Sequence, residues 1–159
     1  MHHNTLFERH CDTEAETQAF AGKLAAVLDL GALVALTGDL GAGKSTFARA
    51  FIRAALADPM AEVPSPTFTL VQTYDRPQGG EIWHADLYRL SDPEDVFELG
   101  IDEAFSSSIC LIEWPDRMPE EWWSDALELK IEIVGSGARS IVVRGDADRW
   151  AGLEAKVKS

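Results

Sequence analysis

The chain has 159 residues, 46% of them hydrophobic and 26% charged, with a formal net charge of −13. That length suits one domain around a single core, and the acidity argues against direct grip on RNA or DNA, whose phosphates would repel the body of the protein. Two cysteines are too few for a disulfide framework, no Cys/His spacing suggests structural zinc, and no stretch reads as a signal peptide or a bilayer span.

A reducing, cytoplasmic setting without membrane contact is therefore expected. Cys110, inside an apolar run, reads as a buried thiol, and His2-His3 as incidental rather than as a metal site. The acidity has a second reading, as a source of solubility.

In chain order, about ten residues at the start show no pattern and are expected to be flexible. Thr13-Glu-Ala-Glu16 then has the form of a capping box. Ala15, Ala19, Phe20, Leu24, Val27 and Leu28 follow at helical spacing. Residues 32–36 are apolar without alternation, which predicts a strand buried on both faces in a parallel sheet. A helix is expected from about Lys44 to Leu56, with Phe47, Phe51 and Ala55 on its buried face.

The two prolines in Val63-Pro-Ser-Pro-Thr67 exclude a helix there. Residues 68–74 alternate as a strand does, Pro77-Gln-Gly-Gly80 is a turn, and residues 81–85 return as a hairpin partner. Ser91-Asp-Pro-Glu94 starts a helix that Gly100 stops. Residues 109–112 form a second uninterrupted apolar run, ending at Glu113, and an acidic, tryptophan-rich connector follows over 115–124. Residues 126–134 and 139–143 read as a hairpin about Gly135-Ser-Gly137, and 147–156 as a short closing helix. With few crossover helices available, the expected fold is α/β: a single-domain P-loop NTPase with a mixed parallel/antiparallel sheet flanked by helices.

The chemistry centres on Gly38-Asp-Leu-Gly-Ala-Gly-Lys44-Ser45-Thr46, which satisfies G-x-x-x-x-G-K-[ST] between a predicted strand and a predicted helix. Glycines let backbone N–H groups turn inward around a polyphosphate, and the helix N-terminus adds partial positive charge. Lys44 would reach the β- and γ-phosphates and Ser45 would hold Mg²⁺. Glu113, at the end of an apolar strand, stands where P-loop proteins place a carboxylate that fixes the metal. Asp86, in His84-Ala-Asp-Leu-Tyr-Arg-Leu90, is either a metal ligand or water-orienting base, or a turn carboxylate paired with Arg89. His84 reads as a hydrogen-bonded structural residue. Ser65-Pro-Thr67 is either a switch segment closing over Mg²⁺ and the γ-phosphate or a stiff lead into a strand. Trp114, Trp122 and Trp123 could stack on a base, anchor a partner or pack the connector. No lysine lies in an N/T-K-x-D guanine signature and no D-x-x-G follows the loop, so ATP is the expected nucleotide. A small-molecule P-loop kinase is the alternative, although the arginines between Arg53 and Arg139 are scattered rather than gathered as in a lid.

Taken together, the phosphate loop, Ser65-Pro-Thr-Phe-Thr-Leu-Val71, His84-Ala-Asp-Leu-Tyr-Arg-Leu90, Gly100-Ile101 and Ile109-Cys-Leu-Ile-Glu-Trp-Pro115, in this order and spacing, resemble the TsaE family. That family comprises P-loop ATPases of bacterial tRNA threonylcarbamoyladenosine biosynthesis, and the resemblance runs from about Thr13 to Arg144. It implies Mg-ATP binding, slow intrinsic hydrolysis, and work within a complex with TsaD and TsaB proteins that meets tRNA only indirectly. Residue by residue, it implies a triphosphate loop of Leu40, Gly41, Ala42, Gly43, Lys44 and Ser45, with Thr46 closing the motif. Ser45 stands where the family commonly has Thr, and keeps the hydroxyl. Glu113 matches the magnesium carboxylate, Asp86 the functional aspartate, Thr67 the switch-like threonine and Trp114 the tryptophan of Glu-Trp-Pro. Nucleotide contacts are further implied near Glu14 and Thr17 and from the hairpin at Gly137 and Arg139.

Overall fold

The computed structural model describes residues 4–158, and its centre is the apolar strand β2 (Leu33–Thr37). Beside it run β5 (Ser108–Glu113) and β6 (Leu127–Gly135), both parallel to it. Beyond β5, also parallel, comes β4 (Glu81–Asp86), with β3 (Val71–Asp75) antiparallel at that edge. On the other side, β7 (Ala138–Gly145) and β1 (Asn4–Cys11) add antiparallel strands. The mixed sheet has seven strands, in the order β1-β7-β6-β2-β5-β4-β3.

Alternation along the central strands explains their unbroken apolar runs. Val34, Leu36, Ile109 and Leu111 face the core shared with Phe20, Leu24, Phe47 and Phe51 of α1 (Glu14–Val27) and α2 (Lys44–Ala55). Leu33, Ala35, Cys110 and Ile112 face a second core with Leu87, Val96 and Ile101, on the side of α3 (Ile101–Ala104). A parallel strand covered on both faces has no solvent-facing positions for polar residues. Burial also pushes the Cys110 thiol up to about 12, leaving it an inert packing group.

Thr13 caps α1 by accepting from the Glu16 amide at 3.2 Å, and Glu16 accepts in turn from the Asp12 amide at 3.1 Å. The buried stripe is Thr17, Phe20, Ala21, Leu24 and Ala25, so the expected Ala15 and Ala19 are solvent-facing. Alanine contributes little area to either face, and the stripe is set by the larger Phe20 and Leu24.

Four further expectations are corrected. The stretch expected to be flexible contains β1, because an edge strand is held through backbone pairing even when Thr5, Glu8 and Arg9 interrupt its apolar pattern. Only Phe7 and Cys11 of β1 are buried; His2-His3 lies outside the described residues. The strand expected over 68–74 begins only at Val71, since residues 66–69 form a turn and Leu70 has φ +69°. The segment Pro93–Leu99 is a 3-10 helix, capped by Asp92 and ended by Gly100. The closing helix is confined to α4 (Leu153–Val157), after a series of turns. Among the described residues, no helix is long and apolar enough to cross a membrane.

Phe20 joins the two margins of the larger core, with ring centroids 6.4 Å from Phe7 of β1 and 6.2 Å from Phe47 of α2. Phe20→Ala is expected to destabilise the fold by about 3–5 kcal/mol, read as a lower urea midpoint with an unchanged slope.

Candidate nucleotide-binding site

The carboxyl ends of the parallel strands open onto one edge of the sheet, where α/β proteins bind their ligands. The chain leaves β2 at Thr37, loops through residues 38–43 and enters α2 at Lys44. Gly38 has φ +134°, and a Cβ there would run into the backbone carbonyl of Ile131, so the loop cannot start with another residue. Gly43, with φ +107°, is the left-handed residue that turns the chain into α2. No side chain caps the N-terminus of α2, and its first turn carries no acidic residue. Its leading N–H groups and positive dipole end therefore remain available to an anion.

Two basic groups shape the loop. Lys44 is buried, donating from Nζ to the carbonyls of Gly38 at 2.7 Å and Asp39 at 2.8 Å. Its ammonium also lies 4.4 Å from the centroid of the Trp114 ring. Burial lowers the Lys44 pKa, against the negative charges of Glu113, Asp86 and Asp39. From the opposite side, Arg139 of β7 donates from Nε to the Ala42 carbonyl at 2.7 Å, tying the loop to the β6–β7 hairpin.

The carboxylates come from neighbouring strands. In the parallel register of β4 and β5, Asp86 stands opposite Glu113, and Glu113 pairs with Leu36 of β2. Ser45 donates from Oγ to Glu113 Oε1 at 2.9 Å, so the first helical hydroxyl and the strand-end acid already meet. Asp86 accepts from the Tyr88 amide at 3.0 Å and from Thr67 Oγ1 at 3.4 Å. Its alternative partner, Arg89, lies instead over the Phe68 ring. Thr67 in turn contacts the Ser65 hydroxyl at 2.6 Å. Lys44, Ser45, Thr67, Asp86, Glu113 and Trp114 thus form one connected cluster.

The remaining expected residues line the loop's outer side. A cavity of about 190 Å³ is bordered by Glu14, Thr17, Gly41, Ala42, Gly43, Thr46, Gly137 and Arg139. A larger groove of about 660 Å³ adjoins it, sharing Glu14 and Thr46 and running along α2 past Arg49 and Arg53. Leu40, 63% exposed, projects from the loop tip. Trp122 and Trp123 pack against the second core. Sequence reasoning missed Tyr88, whose ring lies tilted by 44° at 4.9 Å from Trp114, and the loop-anchoring bond of Arg139. The repeated aromatics of Asp86-Leu-Tyr88 and Glu113-Trp114 at two strand ends were the available signal for the first.

Donor chemistry fits a hard cation. Ser45, Asp86 and Glu113 offer only oxygen, and among the described residues no group of three or more His, Cys, Asp or Glu could hold a metal by itself. Magnesium typically uses such a sparse set, completed by water and phosphate oxygens.

A mixed α/β sheet with a glycine-rich loop feeding an uncapped helix, a loop lysine, a helix hydroxyl and a facing strand-end acid defines a P-loop nucleotide-binding protein. Comparison with known proteins narrows the class. The sequence profile of the family described as threonylcarbamoyl adenosine biosynthesis protein TsaE matches residues 11–141. A Rickettsia bellii protein described as tRNA threonylcarbamoyladenosine biosynthesis protein TsaE is 38% identical over 128 residues, covering 80% of this chain and 88% of its own. A Bacillus subtilis protein of the same description is 34% identical over 137 residues, covering 85% and 83%. The crystal structure of Bacillus subtilis YdiB is similar at a TM-score of 0.74 and 27% identity, covering 99% of this chain and 96% of that one. The chain belongs to the TsaE family.

Asp86 has a raised pKa, chiefly from burial and further from the charge of Glu113. The folded chain therefore binds this proton more tightly than the unfolded chain. The stabilising contribution is complete below the ordinary value of 3.8 and is lost as pH rises through the folded value. Asp86→Asn should accordingly raise the melting temperature of the nucleotide-free, metal-free protein at neutral pH. That gain should shrink as pH falls towards the ordinary carboxylate range; a gain independent of pH would contradict the burial argument.

Proposed function

We propose that this chain is a Mg-ATP-hydrolysing subunit that supports formation of N6-threonylcarbamoyladenosine at the tRNA adenosine beside the anticodon (t6A37), acting in the cytoplasm through a TsaD–TsaB complex. The observation that carries the ATPase reading is the buried cluster in which Lys44, Ser45 and Glu113 meet at the uncapped start of α2, with Asp86 alongside. Family membership supports the pathway; the curated relatives are described by it.

Each residue has a defined task. The loop amides and the N-terminus of α2 hold the phosphates, and Lys44 exchanges the Gly38 and Asp39 carbonyls for phosphate oxygens. Glu14, Thr17, Gly137 and Arg139 enclose the nucleoside end. Ser45 and Glu113, with Asp86 at the margin, hold magnesium, which when bound supplies neutralisation of the charge on the β- and γ-phosphates. Asp86, supported by Thr67, orients water towards the γ-phosphate. Trp114 covers the Lys44 side of the site. Carbamoyl transfer belongs to the partner proteins, so this acidic chain needs no RNA-binding surface of its own.

Purified protein is expected to release phosphate from Mg-ATP slowly and faster once TsaD and TsaB are added. Lys44→Ala should abolish nucleotide binding, whereas Asp86→Asn should retain it and lower turnover about 100-fold. A rate indifferent to the partners, or a phosphorylated metabolite as the main product, would overturn the proposal in favour of an ordinary kinase or an unrelated ATPase.

A further inference from the structure

His84 lies among apolar neighbours. It is buried on β4, its register partner is Leu111 of β5, and Ile82, two residues earlier on the same face, belongs to the larger core. Its side chain is 2% exposed, as is that of Glu113, and its Nε2 is 2.7 Å from Glu113 Oε2. A carboxylate oxygen accepts, and the tautomer with its proton on Nε2 is the one that donates to it. The other ring nitrogen, Nδ1, is buried and has no hydrogen-bond partner among the described residues. A buried polar atom left unpaired opposes folding, so packing alone does not account for an imidazole here. Among the described residues, Glu113 is its hydrogen-bond partner.

The geometry of Glu113 shows what that bond does. Ser45 reaches Oε1 at 2.9 Å and Oε2 more weakly at 3.2 Å, while His84 holds Oε2. One carboxylate oxygen is pinned from inside the sheet and the other is presented to the hydroxyl at the start of α2. We infer that His84 is a positioning residue: its Nε2–H fixes the Glu113 carboxylate so that Oε1 stays directed at the Ser45 hydroxyl and the divalent cation bound there. The inference rests on the proposed reading of Ser45 and Glu113 as the magnesium site. The Ser45 hydroxyl would offer an oxygen lone pair to the cation and keep its O–H for Glu113 Oε1, while the His84 bond would hold Oε2 from the other side. Partners of this kind, one shell out from a metal, typically change metal affinity by about 10–100-fold.

Two measurements test this on the full chain. The first is fluorescent-ATP binding, titrated with Mg²⁺ and repeated in EDTA, for wild type, His84→Leu and His84→Gln. Glutamine can place an N–H near the position of Nε2. His84→Leu should raise the Mg²⁺ concentration needed for half-maximal binding about tenfold or more, leave affinity in EDTA unchanged, and be rescued by His84→Gln. A role in packing alone predicts the reverse, with leucine tolerated and glutamine no better. If wild-type binding depends on Mg²⁺ and His84→Leu does not alter that dependence, the inference fails while the magnesium reading stands. If wild-type binding ignores Mg²⁺, the magnesium reading itself fails and takes the inference with it.

The second measurement needs no variant to fold. Side-chain ¹⁵N NMR of the wild-type protein should show a solvent-protected proton on His84 Nε2, both free and with Mg-ATP bound. An unprotonated Nε2 in either state would overturn the inference.

Discussion

Asp86 and Glu113 stand side by side at the ends of adjacent parallel strands, next to a buried ammonium, and this packing of charge into a poorly solvated edge governs the architecture around it. Two carboxylates so placed repel, which is one reason Asp86 holds its proton more tightly than an ordinary aspartate. Lys44 relieves part of that repulsion while being disfavoured by its own burial. Hydrogen bonds also reach both carboxyl groups: Ser45 and His84 on Glu113, Thr67 and the Tyr88 amide on Asp86. A divalent cation would place positive charge between the two carboxylates, and a polyphosphate would give Lys44 a negative partner in place of two backbone carbonyls.

The sheet makes the arrangement possible because register, not side-chain preference, sets which residues meet. Leu36, Glu113 and Asp86 share one row across β2, β5 and β4. A shift of one residue in β4 would turn Asp86 and His84 to the opposite face and dissolve the cluster. The apolar packing on both faces specifies that register, so the cores that stabilise the protein also position its polar site. Arg139 adds a second constraint by tying the phosphate loop to the β6–β7 hairpin, across the sheet from the carboxylates.

Much of this was legible from local pattern. The unbroken apolar runs identified β2 and β5, and the loop motif with Glu113 located the heart of the site, because glycine torsions, a loop lysine and a strand-end acid have few other reasons to occur together. Asp86, Thr67 and Trp114 stood out locally with alternatives open, and the resemblance to a family added Glu14, Thr17, Gly137 and Arg139, which border the loop, while Thr67 meets Asp86 and Trp114 meets Lys44. What could not be read depends on pairing across the chain. Strand β1 is polar enough to look unstructured until β7 offers its edge. His84 reads as a structural histidine until the register brings it to Glu113, 29 residues away. The tilt of the Tyr88 ring against Trp114 follows from the ends of two strands that only the sheet makes neighbours.

Trp114 shows how closely fold and site are joined. It is a non-glycine residue in the left-handed region, with φ +60° and ψ +55°, directly between Glu113 and Pro115. Such a conformation costs about 1–3 kcal/mol and persists only where its surroundings over-determine it. Glu113 must face α2 to meet Ser45, while Pro115 must turn away into the connector, where it is buried. The left-handed residue between them reconciles the two directions and sends the indole across the ammonium of Lys44 and against Tyr88. Release of Lys44 to a phosphate would remove one of the contacts that hold this strain. The backbone just after Glu113 is therefore coupled to the state of Lys44, through a side chain that lies against it.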